Sequence, residues 1–161
     1  MPFNRCVILV ILLIQGALFA QDRTSGIAGS ASLLGQLGGA EALGVHLNYN
    51  INQKFSVNAG FGVGFSCHAG ANYYFNRKPA KKAFFYIGAQ VGSIREWNFL
   101  GDWGDRQAIV YVPIGFEFMA HKGLTLQIDA GPNIAAENWS QTNTGVISAS
   151  LKIGYTFRRK S

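Results

Sequence analysis

The sequence predicts an all-β fold: a closed eight-stranded antiparallel up-and-down barrel behind an N-terminal export signal. Three observations predict it. After residue 40, apolar residues alternate with small polar ones at a period of two through most of the chain. Charged residues are 14% of the total, against roughly 25% in a typical soluble domain, while glycine reaches 20 of 161 residues. The charges avoid the alternating segments, since 42–53, 55–76, 83–94, 107–116 and 138–151 hold no Asp, Glu, Lys or Arg. The length suits one domain. An apolar content of 48% excludes disorder, and glycine without a three-residue period excludes collagen.

Residues 1–20, MPFNRCVILVILLIQGALFA, have the layout of a secretory signal peptide. Arg5 is the basic start, Cys6 to Ile14 the apolar run, and Ala17 and Ala20 the small residues before the expected cut. The run is too short to span a bilayer as a helix, which takes about 20 apolar residues. The expected mature domain is 21–161. Its 13 basic and 8 acidic side chains leave a net charge of +5, one less than the whole chain because Arg5 is lost. Cys67 is its one cysteine, so no internal disulfide is expected.

The elements follow in order. Segment 26–36 is the weakest, with small residues on both faces. In 43–51 the odd positions are Leu43, Val45, Leu47, Tyr49 and Ile51. From Phe55 to Phe75 every odd position is Phe, Val, Ala, Cys or Tyr. At about 3.3 Å per residue one such strand would run about 70 Å, so it must fold back once. The phase survives the fold, which requires a loop of three or five residues around Gly64 to His68. Segments 85–92, 108–118, 124–134 and 147–157 repeat the alternation, the last with Ile147, Ala149, Leu151, Ile153, Tyr155 and Phe157. Counting the folded run as two gives eight strands.

Charge placement decides which face is inside. A soluble barrel would cover its outer face with charge, whereas the second face here is Gly, Ser, Asn and Gln. That suits the crowded interior of a narrow barrel whose apolar face meets lipid. Tyr49, Phe55, Tyr73, Phe75, Phe85, Phe116, Phe118, Tyr155 and Phe157 gather on the apolar face near the same strand ends, as an interfacial girdle does. An even strand number puts both termini on one side, expected to be periplasmic, with turns 52–54, 76–83 and 119–123. The other side receives 36–40, 64–68 and the long connections 95–107 and 135–146. Arg77, Lys78, Lys81 and Lys82, with Lys54, Lys122 and Arg158 to Lys160, are expected as solvated turn and tail charges. No basic strip interleaves with aromatics, so no nucleic-acid partner is expected.

The alternating pattern resembles the small eight-stranded outer-membrane barrels, the OmpA-, OmpX- and OmpW-like class. The terminal strand Lys152-Ile153-Gly154-Tyr155-Thr156-Phe157 resembles the signal read by the outer-membrane assembly machinery, although Arg158-Arg159-Lys160-Ser161 follow the Phe. The hairpin from Val112-Pro113-Ile114-Gly115-Phe116-Glu117 to Ala130-Gly131-Pro132 is similar to hairpins of uncharacterised outer-membrane barrel-domain proteins. The resemblance implies a bacterial outer-membrane location, with membrane lipid, lipopolysaccharide and the assembly machinery as partners.

The candidate residues fall in two groups. Glu117, Asp129 and Lys152 face inward on successive strands, with His46 also inward. If Ile134 faces Ile147, Asp129 stands directly opposite Lys152, and the two form a neutralised buried pair. Outside, Trp97, Phe99, Trp103 and Trp139 in the long connections offer rigid contact area for recognition. His46, His68 and His121 have no metal-ligand spacing, and no cofactor or metal is expected. The expected function is a non-enzymatic outer-membrane barrel with an envelope-structural or surface-binding role through 95–107 and 135–146. The alternatives are a lipid-A-modifying enzyme built on Ser66 and His68 with Glu41 nearby, and a narrow passive conduit.

Overall fold

The computed structural model describes residues 27–39, 43–63, 66–75, 77–78, 81–97, 103–120, 123–135 and 146–158. The expected signal peptide lies outside them. The strands are β1 Ala31–Gly38, β2 Leu43–Asn50, β3 Phe55–Gly62, β4 Cys67–Tyr74, β5 Ala83–Trp97, β6 Trp103–Tyr111, β7 Ile114–Met119, β8 Leu124–Ala135 and β9 Val146–Phe157. All pair antiparallel with their neighbours, and β1 pairs both β2 and β9, so the sheet closes on itself.

The nine segments make eight staves. β6 and β7 both pair β5 on one side and β8 on the other. Register is unbroken across the gap: Gln90 faces Tyr111 and Ile87 faces Ile114, which is one continuous alignment. The ladder lapses at Val112-Pro113 because proline has no N–H to give. The Pro113 carbonyl still accepts from the Gly88 N–H at 2.7 Å.

The fold-back near residue 64 takes the shorter of the two expected forms. Phe61 faces Cys67, and the Gly62 N–H donates to the Ser66 carbonyl at 3.0 Å, which leaves 63–65 as a three-residue connection. The opposite end has tighter turns. In the β2–β3 turn the Asn52 side-chain oxygen accepts from the Lys54 and Phe55 N–H groups. Between β7 and β8 the chain reverses at Gly123, whose φ of 92° is a conformation that side chains resist. These turns share an end with both strand termini, since Ala31 faces Phe157.

The faces are those of a membrane barrel. Leu33, Leu37, Val45, Phe61, Val91, Phe116, Ile128, Ile147, Leu151 and Ile153 are exposed, while Ser32, Gln36, Asn48, Asn58, Asn72, Gln90, Gln127 and Thr156 are buried. The apolar side chains form the outer surface and the polar ones the core, the reverse of a soluble domain. The rings of Phe55, Tyr73, Phe75, Phe85 and Phe116 succeed one another at centroid spacings of 5.0–5.3 Å around the girdle. A row of touching aromatics near one strand end fits a bilayer interface.

Glycine on the inner face is a packing device. A Cβ at Gly115 would stand 2.6 Å from the Asp129 Cβ and 2.9 Å from the Tyr86 ring, and one at Gly92 would stand 2.9 Å from the His68 Cβ. The bare backbone lets a large side chain from the next strand lie across it.

Candidate functional site

The lumen gathers the inward charges into two neutral clusters. The first forms at the end with the tight turns. Glu117 on β7 is fully buried and accepts from the Tyr74 hydroxyl at 2.8 Å and the Gln127 amide at 2.6 Å. Its other oxygen pairs with Arg77, whose second nitrogen donates to the Asn50 side chain on β2. The Arg77 guanidinium lies 4.0 Å over the Tyr74 ring centroid and 5.3 Å from that of Phe84. Strands β2 and β7 stand four places apart in either direction around the ring. Arg77 therefore spans the lumen from wall to opposite wall. Ile27, Tyr74, Phe84, Tyr86 and Met119 pack beside it as a small apolar core. Asn50 in turn donates to Ser30 at 2.8 Å, which ties in the segment before β1.

This corrects the expectation that the basic residues of 76–83 are all solvated. Arg77 is 4% exposed and belongs to the core, because Glu117 would otherwise be an unpaired buried charge.

The second cluster surrounds Asp129 on β8. One oxygen meets the Lys152 ammonium at 2.5 Å and the Tyr86 hydroxyl at 2.7 Å; the other accepts from Tyr111 and Ser150, each at 2.7 Å. The expected pair thus exists, with a different register. Pro132 faces Ile147, so Asp129 faces Ser150 and Gln127 faces Lys152. The ladder is shifted by two residues from the expected one. A two-residue slip keeps every side chain on its face, so alternation alone cannot detect it. The long lysine side chain covers the diagonal.

His46 and His68 form a third contact that sequence spacing missed. They are buried on β2 and β4, with Nδ1 of His46 3.2 Å from Nε2 of His68. Both face Gly60 on the intervening β3, where no side chain keeps the two rings apart. That glycine, level with both, was the available signal. Elsewhere in the lumen hydroxyls close the β8–β9–β1 seam: Thr156 meets Ser32 at 2.7 Å and Thr125 at 2.5 Å. Among the described residues no three His, Cys, Asp or Glu side chains gather as a metal site would need.

The second group of candidates is mostly beyond reach. The expected long connection 95–107 is corrected to 98–102: β5 and β6 stay paired through Arg95 and Arg106 up to Trp97 and Trp103, which face each other as backbone partners. Their side chains, and Phe99 and Trp139 altogether, lie outside the described residues, as does Glu41. Ser66 donates its hydroxyl to the Val63 carbonyl at 3.1 Å.

No protein-family model matches the chain, and no curated protein does. Among solved structures it is similar to the N-terminal β-barrel domain of Pseudomonas aeruginosa OprF, with a TM-score of 0.54 and 16% identity over 80% of this chain and 96% of that one. It is also similar to Ail, the attachment invasion locus protein of Yersinia pestis, with a TM-score of 0.42 and 15% identity over 80% and 95% of the two chains. Closed through eight staves, apolar outside and polar within, this chain has the fold of the small eight-stranded outer-membrane β-barrels.

Proposed function

We propose that the chain is a non-enzymatic integral protein of the bacterial outer membrane, a plugged barrel that serves as a rigid mount for the β5–β6 hairpin end with its connection 98–102 and for the connection 136–145. One observation carries this reading: Arg77 reaches across the lumen between Asn50 and Glu117 on opposite walls, while Asp129 is paired with Lys152 and accepts from three hydroxyls. An interior whose charged side chains are paired with one another leaves activity to the surface. Trp97 and Trp103 end β5 and begin β6, and Phe99 and Trp139 belong by sequence to the connections beyond, at the end opposite the termini. With the termini periplasmic, that end faces outward, toward lipopolysaccharide and other surfaces. The likeness to the OprF barrel supports the fold on which this rests. Strand 152–157, whose Tyr155 and Phe157 rings meet edge-to-face at 5.1 Å on the outer face, is the segment offered to the assembly machinery.

Planar-bilayer recording tests the plug. The wild-type barrel gives no steady conductance, and Arg77→Ala, which removes the crossbar, produces openings. A wild-type barrel that conducts steadily would overturn the plugged reading in favour of the conduit. Lipid A analysed by mass spectrometry from cells with and without the protein should show one and the same product. A modified species lost in Ser66→Ala would make it an enzyme.

A further inference from the structure

We propose that the closed end of the barrel is a lipid-recognition surface: a basic collar that binds the anionic phospholipid headgroups of the adjoining leaflet. Lys54, Lys78, Lys81, Lys82 and Arg158 are all exposed at this end. Lys122, Arg159 and Lys160 belong to the same turns and tail by sequence. Arg77, beside Lys78, is excluded because it is spent on Glu117. Glu117 is the one carboxylate near this end among the described residues, and it is inside. The other carboxylates of the connections, Glu41, Glu96, Asp102, Asp105 and Glu137, lie at or beyond the opposite strand ends. Asp22 and Arg23 before β1 offset each other, and Arg95 and Arg106 offset part of the acidic charge at the other end, so basic charge stays in excess at this end and acidic charge at the other.

Position identifies the partner. Lys54 directly precedes Phe55, Arg158 directly follows Phe157, and Lys82 stands three residues before Phe85. Phe55 and Phe85 belong to the touching girdle, and Phe157 meets Tyr155 edge-to-face. At about 3.3 Å per residue the cationic groups lie within roughly 10 Å of the aromatic belt, at headgroup depth. They are spread around the perimeter, after β2, β4 and β9, and do not converge on one pocket. The Arg77 side chain crosses the centre between Asn50 and Glu117. A ring of separated cations around an occupied centre complements a plane of lipid phosphates and offers a soluble polyanion no groove. Each such contact is weak and screened by salt, and several together give selectivity.

This inference rests on the barrel spanning a bilayer. The test uses the barrel folded into phosphatidylcholine vesicles containing trace spin-labelled phosphatidylglycerol or phosphatidylcholine, with the motionally restricted fraction measured by electron paramagnetic resonance. Wild type should hold phosphatidylglycerol in preference. The preference should fall toward unity in about 0.5 M salt. It should fall to about half or less in Lys78→Gln/Lys81→Gln/Lys82→Gln. Heat-modifiable gel mobility in each sample establishes folding; its loss in wild type would count against the membrane barrel itself. A folded wild type that holds the two lipids equally, or a folded triple variant with undiminished preference, would overturn the collar. So would binding of soluble peptidoglycan fragments at the collar without any lipid preference.

Discussion

Replacing Arg77 by Met should be among the most damaging single changes in the chain, and its cost can be worked from the contacts. The variant strands Glu117 fully buried, with the Tyr74 hydroxyl and the Gln127 amide as its remaining donors. Breaking a buried pair by removing one partner costs about 3–5 kcal/mol. The lost stacking on Tyr74 adds about 1 kcal/mol. The two surviving donors, and the position at the barrel's end, place the total near the lower bound of that sum, about 4 kcal/mol. Glu117→Gln alone leaves the guanidinium with Asn50 and the two rings, and should cost about 3 kcal/mol. The double variant removes both charges and should cost far less than the sum, a coupling of about 3 kcal/mol. The assay is urea unfolding of the vesicle-folded barrel, read by gel mobility and fluorescence, for wild type, both singles and the double. An Arg77→Met cost below about 1 kcal/mol, with additive singles, would refute the crossbar.

Other outcomes follow from the same contacts. Tyr86→Phe and Tyr111→Phe each remove a hydroxyl donor to the Asp129 carboxylate and should each cost about 1.5–3 kcal/mol in the same unfolding assay. Gly115→Val places side-chain atoms where the Asp129 Cβ and the Tyr86 ring already lie, so no heat-modifiable form should appear on refolding. Leu151→Arg puts a charge on the lipid-facing surface of β9 and should cost about 2–4 kcal/mol, whereas a water-facing site would tolerate it.

What was legible in the sequence was whatever a period of two encodes. The strands' existence, their faces and the girdle follow from alternation, as does an odd-numbered fold-back, because an even loop breaks the phase; the pairing of Phe61 with Cys67 selects three residues over five, and the charges of 95–106 hid the outer ends of β5 and β6. Register was not legible to the same depth. The Asp129–Lys152 contact was foreseen through a pairing two residues away from the real one, and the lysine's length hid the difference. Arg77 was missed for a physical reason: a basic run in a turn is ordinarily solvated, and nothing local distinguishes the one member that enters the lumen. The signal was remote, in the unpaired charge that Glu117 would otherwise have been. The His46–His68 contact was similarly nonlocal, requiring the registers of both flanking ladders to place Gly60 between them. The apparent ninth strand is a proline effect, and the even alternation through Val112-Pro113 already marked it as one stave.

The measurement closest to the central claim is a nitroxide scan along β9, one label at a time from Ile147 to Phe157, in folded vesicles. Collision with oxygen dissolved in the bilayer should rise at Ile147, Ala149, Leu151, Ile153 and Tyr155 and fall at Ser148, Ser150, Lys152, Gly154 and Thr156. An inverted phase, or odd positions that collide with a water-soluble nickel chelate instead, would contradict a barrel that wears its apolar residues outside.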